Sequence, residues 1–161
     1  MAEEIGTQKV ITEHSTIGLV VTTDGSIGEI PREEYCEAEE RVVNELKEIN
    51  KPFVVLLNCK NPSSPDSIKL AEELCVKYNV GVMPVNCLEL DEIQIKKVLS
   101  LLLYEFPVRE MKIKLAEWIT NLEKSHWLRS EIYSAVSDGA KEMKKVKDVN
   151  GFLSIFLTYF L

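Results

Sequence analysis

The run Phe53-Val54-Val55-Leu56-Leu57-Asn58 constrains this chain more than any other stretch. Five apolar residues stand together without polar interruption and stop at an asparagine. A run that short, rich in aromatic and β-branched residues, reads as a strand covered on both faces and not as a helix. Cys59-Lys60-Asn61-Pro62 and two serines then break the pattern, so the strand opens into a loop. Ligands of open parallel sheets bind outside the carboxyl ends of the strands. One wall of any small-molecule site is therefore expected to start at Asn58.

Flanking patterns repeat the theme. Ile17-Gly18-Leu19-Val20-Val21 is a second apolar run, ending in Thr22-Thr23-Asp24-Gly25-Ser26; it reads as a central strand buried on both faces. Val80-Gly81-Val82-Met83-Pro84-Val85-Asn86 is a third strand candidate, with Pro84 suited to a place where no N–H is needed. Helices are expected between them. One starts at Pro31, followed by Glu33 and Glu34 at the positive end of the helix dipole. Its inward positions read as Tyr35, Ala38, Val42, Leu46 and Ile49. A second opens at Pro65-Asp66, with Ile68, Ala71, Leu74, Cys75 and Tyr78 inward. A third begins near Asp91 and carries Ile95, Val98, Leu99 and Leu102. Residues 3–14 are a weaker helix candidate. Strands alternating with such helices argue for βαβ crossovers and a parallel sheet. Three strands make a thin sheet, so neighbouring strands are expected N-terminal to this stretch.

Pro107 marks a boundary, because the residue before a proline is pushed out of the helical region. Beyond it, Val108, Met111, Leu115, Trp118, Ile119 and Leu122 suggest one helical face, and Trp127, Ile132, Val136, Ala140, Met143 and Val146 another. Trp118 and Trp127 are expected to anchor that part's core. Residues 152–161 are almost wholly apolar, but too short for the ~20 residues that span a bilayer.

Composition narrows the function. The 161 residues carry a net charge of −7 with no basic block, which disfavours nucleic acid and anionic membrane as partners. The basic cluster Lys141, Lys144, Lys145 and Lys147 lies among acids and reads as a solvated helix face. Four cysteines without a CxxC pair, and only two histidines, argue against structural zinc. They fit free buried thiols in a reducing compartment, with Cys75 as packing. The opening Met1-Ala2-Glu3-Glu4 is unlike a signal peptide.

An α/β sheet with polar loops at its strand ends suggests a nucleotide. The phosphate cradle would be GxxxxGK[ST] after a strand, and none of the seven glycines stands in that spacing. No catalytic residue and no metal ligand set emerges. Asp24 and Glu29 could meet a cation but also read as solvated turn residues. His14 and His126 have no supporting nucleophile pattern. A base is better served. GTPases of the P-loop class read guanine with Asn-Lys-x-Asp after one strand and a short polar segment after the next. Asn58-Cys59-Lys60-Asn61 and Asn86-Cys87 occupy those places, which makes Asn58, Lys60, Asn86 and Cys87 the candidate base-binding residues. The asparagine is present; the aspartate that accepts from guanine's ring N–H and amine is not, so adenine fits better. An asparagine after a strand is also a common turn former.

Longer stretches carry a resemblance. Glu4-Ile5-Gly6-Thr7-Gln8-Lys9-Val10-Ile11-Thr12-Glu13-His14, Val20-Val21-Thr22-Thr23-Asp24-Gly25-Ser26-Ile27, Lys51-Pro52-Phe53-Val54-Val55-Leu56-Leu57-Asn58, Leu103-Tyr104-Glu105-Phe106-Pro107 and His126-Trp127-Leu128 are similar to the stage IV sporulation protein A family of endospore-forming bacteria. The resemblance reaches about Gly151. It implies the C-terminal half of a P-loop GTPase-like three-layer α/β domain over residues 1–106. A helical start of a middle domain follows over 107–150, and an atypical apolar tail over 151–161. It implies ATP and Mg²⁺ as cofactors of the full-length family, and ATP hydrolysis driving self-polymerisation into the spore coat's basement layer. Other coat proteins and a small amphipathic membrane-anchoring peptide are the implied partners, in the mother-cell cytoplasm at the forespore surface. The chain itself, lacking the phosphate loop, is expected to be inactive alone. A non-catalytic assembly module of the coat and a free-standing flavodoxin-like domain are the alternatives.

Overall fold

The computed structural model describes residues 9–151. The apolar tail 152–161 and the first part of the expected N-terminal helix lie outside them. Two compact units divide between Glu105 and Phe106.

The first unit is a three-stranded parallel sheet in the order β1-β2-β3, formed by Gly18–Thr23, Phe53–Asn58 and Val82–Val85. Helices α1 (Glu33–Glu48) and α2 (Pro65–Tyr78) make the two crossovers, and α3 (Glu92–Tyr104) follows β3. Successive crossovers in one direction across a sheet put their helices on one face. Accordingly Val43 and Leu46 of α1 and Ala71, Leu74 and Tyr78 of α2 pack on Val20, Phe53, Val55 and Leu57 as a single core. The alternate β2 residues, Val54 and Leu56, are buried on the opposite face, where α3 packs against β2. Central β2 is thus covered on both faces, as its unbroken apolar run requires.

Of the two-faced burial that its apolar run suggests, β1 shows one face only, as a strand at the edge of a three-stranded piece must. It is an edge strand, and its side chains alternate: Val20 and Thr22 are buried, while Leu19 and Val21 are 51% and 56% exposed. An apolar run does not distinguish a central strand from an edge strand that lacks one neighbour. Of the segment expected as an N-terminal helix, the described residues hold a π-helical turn, Val10–His14. Lys51 holds that turn by donating to the Ile11 and Ser15 carbonyls.

Helix phase is the other correction. In α1 the buried residues are Glu39, Val43 and Leu46. Val42 and Ile49, expected inside, are exposed. Leu46 is inside as expected, and the buried face is turned by less than one residue, roughly 65° of rotation, toward Glu39 and Val43. In α2 the inward residues are Ser67, Ala71, Leu74 and Tyr78, whereas Ile68 and Cys75 are exposed. The packing role for Cys75 is therefore overturned. α3 buries Leu102 and leaves Ile95 and Leu99 exposed.

Local chemistry sets the ends. Ser64 caps α2 by accepting from the Ser67 N–H. Asp91 and Gln94 form a capping box at α3. Asn50 and Asn79 take the left-handed conformation after α1 and α2. Gly81 has no room for a side chain: a Cβ there would lie 2.6 Å from Leu101 Cγ.

The second unit is less regular than its sequence pattern suggests. Residues 108–116, expected to be helical, are not. α4 (Glu117–Thr120) is one turn, and α5 (Trp127–Glu142) is the long element. Pro107 pairs antiparallel with Lys145, and residues 146–151 are helical. Its buried anchors are Ile119 and Ile132. Trp118 and Trp127 are 58% and 68% exposed, contrary to their expected core role. The indole of Trp127 stacks on His126 instead.

Candidate nucleotide-base site at the sheet rim

Thr23, Asn58 and Val85 are register partners, so the three strands finish level at their carboxyl ends. The loops after them share one rim, and side-chain hydrogen bonds tie those loops together.

Asn58 joins the loops after β2 and β3. Its Oδ1 accepts from the Cys87 N–H at 3.0 Å, and its carbonyl accepts from the Asp24 N–H at 3.3 Å. Asn86 closes its own turn. Its Oδ1 accepts from the Leu88 N–H at 3.1 Å and its Nδ2 donates to Glu89 Oε2 at 3.1 Å. Cys59 is fully buried; its N–H bonds the Val85 carbonyl, and its thiol lies 3.6 Å from the same oxygen. Burial pushes that thiol's pKa up, so it stays protonated and unreactive. Of the four sequence candidates, then, Asn58 and Cys87 are directly joined, Asn86 stands next to them in the chain, and Lys60 is reached through a second network.

Asp24 organises that second network. Its Oδ1 accepts from the Ser26 N–H at 2.8 Å and from the Ser26 hydroxyl at 2.5 Å, and its Oδ2 accepts from the Ser67 hydroxyl at 3.2 Å. The Ser26 oxygen in turn accepts from the Lys60 N–H at 2.8 Å. The loop after β1, the loop after β2 and the first turn of α2 are thereby locked. From the sequence Asp24 reads as a cation ligand or a solvated turn residue, and neither Ser26 nor Ser67 stands out. The signal was present in two places: Asp-Gly-Ser straight after a strand favours a self-bonding turn, and Ser64 and Ser67 carry the helix cap. Among the described residues no group of three His, Cys, Asp or Glu side chains is placed to hold a metal. Nor is any helix among them long and apolar enough to cross a membrane.

A buried polar network lies behind the rim, where α1 and α2 meet the sheet. Arg32 donates to Glu39 Oε1 at 2.8 Å and to Thr22 Oγ1 at 3.0 Å, and the Tyr78 hydroxyl donates to Glu39 Oε1 at 2.7 Å. Arg32 Nη1 sits 2.7 Å from Glu39 Oε2, an ion-pair contact without hydrogen-bond alignment. Burial opposes ionisation of Glu39, but hydrogen bonds from Arg32, Thr22 and Tyr78 outweigh it and hold the carboxyl below its usual range.

Comparison with known proteins places these features. Residues 1–107 match the family model described as stage IV sporulation protein A, ATPase domain, and residues 108–159 match that of the middle domain. The second match runs through most of the apolar tail, beyond the point near Gly151 where the resemblance was expected to end. Stage IV sporulation protein A of Bacillus anthracis is 47% identical over 98% of this chain, and that of Clostridioides difficile 44% over 96%. The Bacillus subtilis protein is 43% identical over 96%. The chain spans about a third of the length of these relatives, 32% in each case. No solved structure matches. An α/β unit with a parallel sheet, followed by a helical unit, each matched by the family's own domain models, means that the chain belongs to the stage IV sporulation protein A family.

Proposed function

We propose that the first unit is the C-terminal half of a P-loop GTPase-like domain, and that its rim holds the base end of ATP. The observation that carries this is the ATPase-domain match over residues 1–107, on a sheet whose strands finish level with Asn58 at the centre of the rim. Asn58 Oδ1 is engaged by Cys87, so its amide NH₂ is the group that meets an acceptor nitrogen of the base. Lys60 covers the base from its exposed loop, while Asn86 and Cys87 shape the opposite wall. The absence of an aspartate three residues after Asn58 removes the acceptor for guanine and favours adenine.

On this reading the full-length protein hydrolyses ATP with Mg²⁺ to drive self-polymerisation into the spore coat's basement layer, at the forespore surface in the mother cell. Coat proteins and a small amphipathic anchoring peptide are its partners there. The 161 residues contain no GxxxxGK[ST], so they supply the base side and not the phosphate side. Alone, the chain binds ATP weakly and does not turn it over.

Titration of the purified chain with a fluorescent ATP analogue, with and without Mg²⁺, tests this. Weak saturable binding competed by ATP over GTP and lost in Asn58→Ala supports the base pocket. Binding that ignores the Asn58 substitution, or prefers GTP, rejects it. ATP turnover by the pure chain would refute the division of labour.

A further inference from the structure

Two outward helix faces of the first unit carry complementary patterns. On α2 the exposed face presents Ile68, Lys69, Glu72, Glu73 and Val76, and Val76 is 84% exposed. On α3 the residues Ile93, Lys96, Lys97, Ser100, Leu101 and Tyr104, spaced three and four apart, line a groove of about 360 Å³. Ile93 there is 64% exposed. Leu101 sits against Gly81, just ahead of β3, and α2 packs on β3. Both faces therefore belong to the β3 side of the sheet and not to the open β1 edge.

Set antiparallel, the two faces match position by position. Val76 meets Ile93, Glu73 meets Lys96, Glu72 meets Lys97, Lys69 meets Ser100 and Ile68 meets Leu101. Apolar ends flank two opposite-charge pairs, the arrangement that fixes partner and orientation between helices. A parallel alignment that keeps the charges opposed sets Lys69 on Ile93 and Val76 on Ser100, and loses the apolar pairs. Within one copy the two faces cannot meet, because α2 and α3 lie on opposite faces of the sheet. The charges are free to change partners. Glu73 lies 3.8 Å from Lys69 and Lys96 2.6 Å from Glu92, both exposed contacts one helical turn apart, and such pairs contribute little. Glu72 and Lys97 have no ion pair among the described residues.

We infer that the outer face of α2 on one copy docks antiparallel in the α3 groove of a second copy. Charge complementarity and the matched apolar ends select that occupant. The two surfaces differ and lie on opposite faces of one sheet, so the contact is head-to-tail and repeats without closing on a pair. One helix pair buries little area, so a single contact is weak and is screened by salt. These faces are the surfaces of the self-polymerisation proposed above, and their assignment rests on that reading.

Sedimentation velocity of the purified chain at low salt tests this. Mean mass should keep rising with protein concentration, and added salt should reverse the rise. Glu72→Lys with Glu73→Lys should weaken association about tenfold or more, and so should Lys96→Glu with Lys97→Glu. All four sites are exposed, so both variants should keep the circular dichroism of the parent. Mixing the two variants should restore association, because each chain then meets opposite charge at both of its faces. A parent chain that stays monomeric, growth that stops at a dimer, or a mixture that does not recover would overturn the inference. So would association indifferent to the reversals, such as one through the apolar tail 152–161. Nucleotide binding is read separately. Charge-dependent growth without ATP binding keeps the contact and rejects the base pocket; ATP binding by a strictly monomeric chain does the reverse.

Discussion

The Tyr78 hydroxyl, at the end of α2, donates a 2.7 Å hydrogen bond to Glu39 in the middle of α1. Two helices joined to each other only through β2 are thus linked by a buried polar contact, and Arg32 completes it from the N-terminal side of α1. Burial and the adjoining Glu39 charge push the Tyr78 pKa from 10.0 up to about 12.

That shift has a sign. A group whose pKa is raised by folding contributes stability that is complete below its unfolded value and is lost as pH rises through the folded one. Unfolding free energy should therefore fall between pH 10 and about 12. Tyr78→Phe should flatten this alkaline limb, and at neutral pH should cost about 1–3 kcal/mol by leaving Glu39 short of a donor. Urea titrations across pH check both.

Glu39 behaves oppositely. Its pKa is depressed, so its contribution is complete above the ordinary carboxylate value and fades as pH falls through the folded one. Glu39→Gln should flatten the acid limb of the stability profile. At pH 7 it should cost about 3 kcal/mol, because Arg32 is left without its counter-charge. Denaturation midpoints at pH 7 and pH 4 would show the difference.

Gly81 tolerates no side chain, since a Cβ would press on Leu101 at 2.6 Å. Its N–H also donates to Glu105 Oε1 at 3.0 Å. Gly81→Ala should destabilise the first unit by about 1–3 kcal/mol. Pairing it with Leu101→Ala should recover part of the loss, whereas the two would add if they were independent.

At the rim, Asp24→Ala removes the acceptor shared by Ser26 and Ser67. Amide exchange at Ser26 and Lys60 should accelerate about tenfold while the central strand stays protected. An unchanged Lys60 amide would show that its bond to Ser26 does not depend on Asp24.

Thiol labelling under native conditions should modify Cys75 first, because its side chain is exposed, and Cys59 only on unfolding. Early labelling of Cys59 would contradict the closed floor of the rim.

Much of the architecture follows from local pattern. The uninterrupted 53–58 run, the alternation of apolar runs with helical stripes and the break at Pro107 are short-range signals, and the three strands and three helices of the first unit stand where those signals put them. Asn58 was legible as a rim residue for the same reason, since a polar residue ending a buried strand must sit at its carboxyl end. Tertiary structure decided what short-range pattern cannot encode. Whether a strand is central or at an edge depends on a neighbour far away in sequence, so β1 reads like β2 yet leaves Leu19 and Val21 uncovered. Which side of an apolar stripe is buried depends on what packs there, so Val43 took the place expected for Val42. The polar contacts of Asp24, Ser67, Glu39 and Tyr78 join residues about forty positions apart, and no local window holds both partners of such a bond.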